Sequence, residues 1–158
     1  MFHLVLHEPE IPPNTGNVIR LCANTGAVLH LIRPLGFDLD RRSVRRAGLD
    51  YRWMAAVQVH ESFAACRAVL AGGSGAWYAI ETGGQRRYDE VSYRAGDVLL
   101  FGSERRGLPQ SILAELGPQA QLEIPMRAGN RSLNLSNAVT LVTYEAWRQN
   151  GFRSQTPP

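Results

Sequence analysis

Three short segments concentrate the side chains able to do chemistry: Glu8–Arg20 (EPEIPPNTGNVIR), Leu100–Pro109 (LFGSERRGLP) and Ile124–Asn137 (IPMRAGNRSLNLSN). Gly102 and Gly107 allow backbone to approach a ligand closely, and Ser132, Asn134 and Ser136 can donate or accept hydrogen bonds. Gly, Pro, Ser and Asn also make ordinary turns, which is the plainer reading for any one segment alone. Three such segments, each with a polar residue fit for chemistry, favour a shared site. Lysine chemistry is excluded, because all 17 basic residues are arginines. That removes a Walker A lysine, a Schiff base and a Ser–Lys dyad together.

Each segment follows a predicted strand and enters a predicted helix. Strands are expected at Phe2–His7, Val28–Ile32, Ala55–Val59, Trp77–Glu81, Val98–Phe101 and Gln121–Ile124, most of them short and apolar as in a sheet covered on both faces. Helices are expected at about 15–25, 40–47, 61–71, 109–116 and 135–150. The alternation predicts an α/β fold with a mostly parallel sheet flanked by helices. The three segments then fall at its carboxyl edge, where ligands usually bind. Pro12-Pro13 bars helix upstream, Asn14 or Thr15 can cap, and Gly26 suits the left-handed position after the last turn. The last helix carries apolar residues at 138, 139, 141, 142, 146 and 147, more than one narrow stripe. It is expected to pack on the sheet and on a partner subunit, a thick single core being the alternative.

A chain of 158 residues and 44% apolar content accommodates about one domain with a proper core, expected over 1–152 with a loose tail at 153–158. Net charge is 17 − 14 = +3. Cys22 and Cys66 make neither a disulfide framework nor a zinc knuckle, so a reducing cytoplasm is the expected compartment. No run approaches the ~18 apolar residues of a membrane span, and the first residues lack signal-peptide character. Gly72–Ala76 (GGSGA) misses a hydrolase elbow by its last residue, and no G-x-G-x-x-G follows the first strand. His3 and His7 are four apart on a predicted strand rather than on a helix, which points to structural roles rather than a zinc pair.

The stretch from Glu8 to Gly26, the FGSERRGLP segment and IPM…RSLNLSNAV…YEAWRQ closely resemble the SPOUT superfamily of S-adenosylmethionine-dependent RNA methyltransferases. Within it they are most similar to the TrmL (YibK) group, which methylates the ribose 2′-oxygen of the tRNA wobble nucleotide. The resemblance runs from about residue 1 to 151 and implies a SPOUT fold with a C-terminal trefoil knot, acting as a homodimer on tRNA, with leucine isoacceptors as substrates. General fold rules would argue against a knot. The resemblance implies a site of Asn14, Arg20, Glu104, Ser132 and Asn134. It places the S-adenosyl-L-methionine adenosine on main-chain groups near Ile80, Gly102, Ile124 and Ser132. Ser103 stands where the group often has proline, adding a donor and freeing a backbone N–H.

The implied reaction moves a methyl group from a sulfonium to a ribose hydroxyl and requires no metal. Arg20 is the expected cation beside the reacting oxygen, since guanidinium stays protonated and is a poor literal base. Six helical residues separate it from Asn14, about 240° net, so Asn14 is expected in the entry loop, folding back toward a common site. Glu104 has a plainer alternative as partner of Arg105 or Arg106. Arg41, Arg42, Arg45 and Arg46 form like-charge i,i+4 pairs, expected as a phosphate-binding face, with a solvated face as the alternative. Arg127 and Arg131 flank the third motif and could reach the same RNA backbone. Tyr144 could serve a site across a dimer interface or simply pack in the core. The competing functions are a non-catalytic RNA-binding module on the same fold, and 2′-O-methylation of a different RNA.

Overall fold

The computed structural model describes residues 1–38 and 57–153. Seven strands form one sheet: β1 (His3–His7), β2 (Val28–Ile32), β3 (Val57–His60), β4 (Trp77–Ile80), β5 (Arg86–Arg87), β6 (Val98–Phe101) and β7 (Gln121–Glu123). Their order is β3-β2-β1-β6-β4-β7-β5, and every pairing is parallel. The flanking helices are α1 (Pro12–Thr25), α2 (Phe63–Leu70), α3 (Gln110–Leu116) and α4 (Leu135–Gln149). The expected helix at 40–47 and residues 55–56 of the expected third strand lie outside the described residues, as do 154–158.

Side-chain alternation divides the core by sheet face. Leu4, Leu6, Leu29, Leu31, Leu99 and Phe101 point toward α1 and α4, while Val5, Ile32, Val98 and Leu100 point toward α2 and α3. Each such fully buried side chain contributes roughly 1.5–3 kcal/mol. α1 begins at Pro12, three residues before the expected start at 15, because proline at the first helical positions removes only an N–H that has no helical partner anyway. Its N-cap is Ile11, without a side-chain cap, so neither Asn14 nor Thr15 caps it. Gly26 closes α1 in the left-handed region at φ 74°, its N–H donating to Cys22 O.

On the α2 face, three histidines from three strands form a chain. His3 Nδ1 lies 3.0 Å from His30 Nε2, and His30 Nδ1 lies 3.0 Å from His60 Nε2. Burial, then the neighbouring His3 and His60, pull His30 down to about 4, so it is neutral at pH 7. His3 thus has the structural setting expected of it.

Among the described residues, several glycines sit where neighbouring backbone leaves no room for a side chain, Gly102 and Gly84 near the carboxyl edge among them. A Cβ on Gly102 would lie 2.1 Å from Gly107 C and 2.4 Å from Leu108 N, and one on Gly84 would lie 2.5 Å from Leu122 C. Gly26 has open space around it and only its positive φ to defend. Gly26→Ala is therefore expected to cost about 1–2 kcal/mol. Gly102→Ala must push backbone from backbone, so it should cost about 3 kcal/mol, the upper end for overpacking, and weaken ligand uptake at this edge. Denaturant melts of the two variants side by side check the ranking.

Candidate active site

The first loop, Glu8–Ile11, leaves β1, crosses to α1, and is held from below by Glu104. That carboxylate accepts from Glu10 N at 2.8 Å, Ile11 N at 3.1 Å and Asn14 Nδ2 at 2.9 Å. The alternative role for Glu104, as partner of Arg105 or Arg106, is not what the geometry shows. Arg105 pairs with Glu10 at 3.5 Å and Arg106 with Glu8 at 3.1 Å. Both arginines are largely exposed, so these pairs add about 0–1 kcal/mol each. The three hydrogen bonds to the half-buried Glu104 carboxylate matter more.

Asn14 is the centre of a polar chain that joins all three loops. Its amide donates to Glu104, and its carbonyl oxygen accepts from Asn134 Nδ2 at 2.9 Å. Asn134 Oδ1 in turn accepts from Ser136 Oγ at 2.8 Å and from Asn137 N at 3.4 Å, capping α4. With both ends committed to tertiary partners, the Asn14 side chain is not available to cap its own helix. It is also buried and helical rather than in the entry loop, which corrects the expected placement.

In the second loop the freed N–H and hydroxyl of Ser103 are both used. Ser103 N donates to Gly107 O at 3.3 Å, Gly107 N donates to Ser103 O at 3.0 Å, and Ser103 Oγ accepts from Arg106 N at 3.3 Å. A proline here would lose the first and third bonds. The loop is further clamped by Glu81, whose carboxylate accepts from Leu108 N at 2.8 Å and Thr82 N at 3.0 Å. Glu81→Ala leaves those donors short of a partner beside the cavity. The expected cost is about 1–3 kcal/mol of stability and a weakened hold on any nucleoside bound there, with Glu81→Gln milder. Thermal melts with and without S-adenosylhomocysteine measure both effects.

These loops enclose a cavity of about 700 Å³, within the range usual for small-molecule sites. It brings together Asn14, Ile80, Gly102, Glu104, Ile124, Arg131, Ser132 and Asn134 of the expected residues. Arg20 is not among its lining residues; it is exposed on α1, six residues beyond Asn14 and so turned about 240° from it. Arg41, Arg42, Arg45 and Arg46 lie outside the described residues. Glu81 and Thr82, outside the three segments singled out in the sequence, also line the cavity, as does Met126 of the third segment. Glu81 ended a predicted strand at the same edge as the other loops, and that position was the available signal. The cavity's size, its apolar floor of Ile80, Phe101, Ile124 and Leu135, and its polar rim fit a nucleoside-based methyl donor.

Fold and cavity together define the class, a SPOUT-type α/β methyltransferase, and comparison with known proteins agrees. The chain belongs to the SpoU rRNA Methylase family, whose sequence pattern matches residues 1–144. It is 52% identical over 152 residues to a tRNA (cytidine(34)-2′-O)-methyltransferase of Methylovorus glucosotrophus (strain SIP3-4), covering 96% of this chain and 97% of that one. It is 53% identical over 153 residues to the protein of that name from Escherichia coli (strain K12), covering 96% of each. A structure solved for insights into 2′-OH methylation of C/U34 on tRNA superimposes with a TM-score of 0.87 at 47% identity, over 97% of this chain and 98% of that one. An AdoMet-bound rRNA methyltransferase from Sinorhizobium meliloti superimposes with a TM-score of 0.78 at 26% identity, over 93% of this chain and 56% of the other.

Proposed function

We propose that this chain is a tRNA ribose 2′-O-methyltransferase that methylates the wobble nucleotide (cytidine or uridine 34), works as a homodimer and acts in the cytoplasm. The observation that carries the reading is the polar chain Glu104–Asn14–Asn134, which ties three carboxyl-edge loops into one cavity of nucleoside size. Relatives about half identical along nearly their whole length, and named for this reaction, support the same substrate.

When bound, S-adenosylmethionine supplies a methyl group already carried on a good leaving group. The main chain at Ile80, Gly102 and Ile124, with Ser132, would hold the adenosine, and Glu81 keeps the Gly102–Leu108 turn in shape. Ser132 and Asn134, exposed at the mouth, orient the ribose. Such alignment accounts for about 7–11 kcal/mol in favourable cases. Arg20 stabilises charge on the 2′-oxygen or grips an adjacent phosphate, while water or phosphate takes the proton. Arg131 at the mouth and the arginines at 41, 42, 45 and 46 meet the RNA backbone. Replacing those four by alanine should raise the tRNA KM and flatten its salt dependence, by up to about 0.7–0.9 in log–log slope per lost phosphate contact.

The dimer explains Arg20. Arg20 is exposed on α1 and does not line its own cavity, and α4 leaves Leu141 and Tyr144 about 40% exposed. Tyr144 is therefore not a core residue. Burying this face against a second copy would bring the Arg20 of one subunit to the other's cavity. The C-terminal knot belongs to the same reading, supported by β7 lying between β4 and β5 and by the close approach of Gly84 to the Leu122 backbone.

Incubating purified protein with labelled donor and total tRNA, then mapping ribose methylation, tests the function. Label at nucleotide 34 is the expected result. Label only in ribosomal RNA would overturn the substrate, and none anywhere would favour a binding module.

A further inference from the structure

Away from the active-site cavity, on the opposite face of the sheet, His30 of β2, His60 of β3 and Cys66 of α2 point their ligating atoms at one another. Two imidazole nitrogens and one sulfur lie within 4.8 Å of each other, and all three residues are buried. We propose that His30, His60 and Cys66 bind a zinc-class divalent cation that braces the β2–β3 edge of the sheet.

The donor set is the chemistry such ions select, since imidazole suits zinc and cobalt and thiolate is the softer ligand both accept. The spacing agrees. Tetrahedral zinc with Zn–N bonds of about 2.0–2.1 Å holds two imidazole nitrogens about 3.3–3.4 Å apart. His30 Nδ1 and His60 Nε2 are 3.0 Å apart, so the rings need open by only a few tenths of an ångström. The second nitrogen of His30 is already tied. Its Nε2 lies 3.0 Å from His3 Nδ1, and with Nδ1 on a metal it would donate there. That outer partner fixes the tautomer and aims the ring, as metal-ligating histidines generally require.

The strands on which the ligands sit are fixed. His60 is paired in register with Ile32 on the neighbouring strand, and α2 is anchored by Ser62, whose Oγ accepts from Ala65 N at 3.1 Å. A zinc-class ion is held by neutral imidazoles and a thiolate, so binding displaces one proton from the Cys66 sulfur to solvent. The described residues supply three ligands, and water completes the tetrahedron. Two cysteines that match no zinc knuckle in sequence can thus leave one of them in a mixed histidine–cysteine site.

Cobalt titration of the chelator-treated full-length protein tests this. One equivalent of Co²⁺ should give a thiolate-to-cobalt band in the near ultraviolet with tetrahedral ligand-field bands in the visible, and Zn²⁺ should bleach both. Cys66→Ser should lose the near-ultraviolet band and Cys22→Ser should keep it. His3→Ala, which removes no ligand, should weaken Co²⁺ binding about 10–100-fold. A wild-type protein without these bands would overturn the site, as would a band that survives Cys66→Ser. Should Cys66→Ser fail to fold by circular dichroism, unchanged Co²⁺ affinity in His3→Ala would overturn it equally.

Discussion

Arg20→Ala should lower kcat for tRNA methylation by about 10²–10³ while leaving the fold and the uptake of S-adenosylhomocysteine intact. Removing one preorganised donor that faces developing charge typically costs this much. Separation of the two effects follows from position, because Arg20 is exposed on α1 and does not line its own cavity. Arg20→Lys should retain part of the rate if charge alone matters, and none if the guanidinium's fork is required. Mixing two dead proteins, Arg20→Ala and Asn14→Ala, and allowing subunits to exchange should restore part of the activity. A mixed dimer would hold one cavity with intact loops and the other subunit's Arg20. Absence of any recovery would place Arg20 and Asn14 in service of the same subunit's site and contradict the composite dimer.

Asn14→Ala should be the most damaging change within the cavity. It cuts the bonds to Glu104 and Asn134 at once, leaving a carboxylate and a carboxamide short of partners. The stability cost is expected at about 1–3 kcal/mol, roughly 2–4 °C in Tm for each kcal/mol in a chain of this size. Loss of activity should exceed what the lower stability explains, because only the long Asn17–Ser136 contact at 3.5 Å then ties the third segment to the first by a side-chain hydrogen bond among the described residues. Asn14→Asp should be worse than its shape suggests, since it sets a second carboxylate against Glu104. A double-mutant cycle of Asn14→Ala with Asn134→Ala should show coupling of about 0.5–3 kcal/mol. Purely additive effects would mean that the loops are held independently.

Much of the frame was legible in the residues. Val, Leu and Ile runs such as VLHLI and VLLF marked strands buried on both faces, and six of the seven strands were expected near their observed places. The seventh, Arg86–Arg87, is two charged residues long, too short and too polar to announce itself. Pro12-Pro13 bars helix upstream but not at its own positions, because prolines at the first two helical positions cost little, so α1 starts earlier than its cap candidates suggest. The convergence of the three loops followed from their common position after parallel strands. The role of Asn14 did not, since its partners lie 90 and 120 residues away and only the sheet order brings them together. The same holds for His30, His60 and Cys66, which no local spacing connects. The site residues of the first and third motifs were reached through resemblance, and Arg20 shows its limit: one chain's geometry does not put it where one chain's sequence suggested.

The most direct test of the account is a crystal structure of the protein with S-adenosylhomocysteine. The nucleoside should lie in the cavity between the Gly102–Gly107 turn and the Ile124–Leu135 segment, its adenine on the main chain near Ile80 and Ile124, with Arg20 of a second subunit at the mouth. Density for the nucleoside anywhere else, or a cavity left empty at saturating concentration, would contradict it.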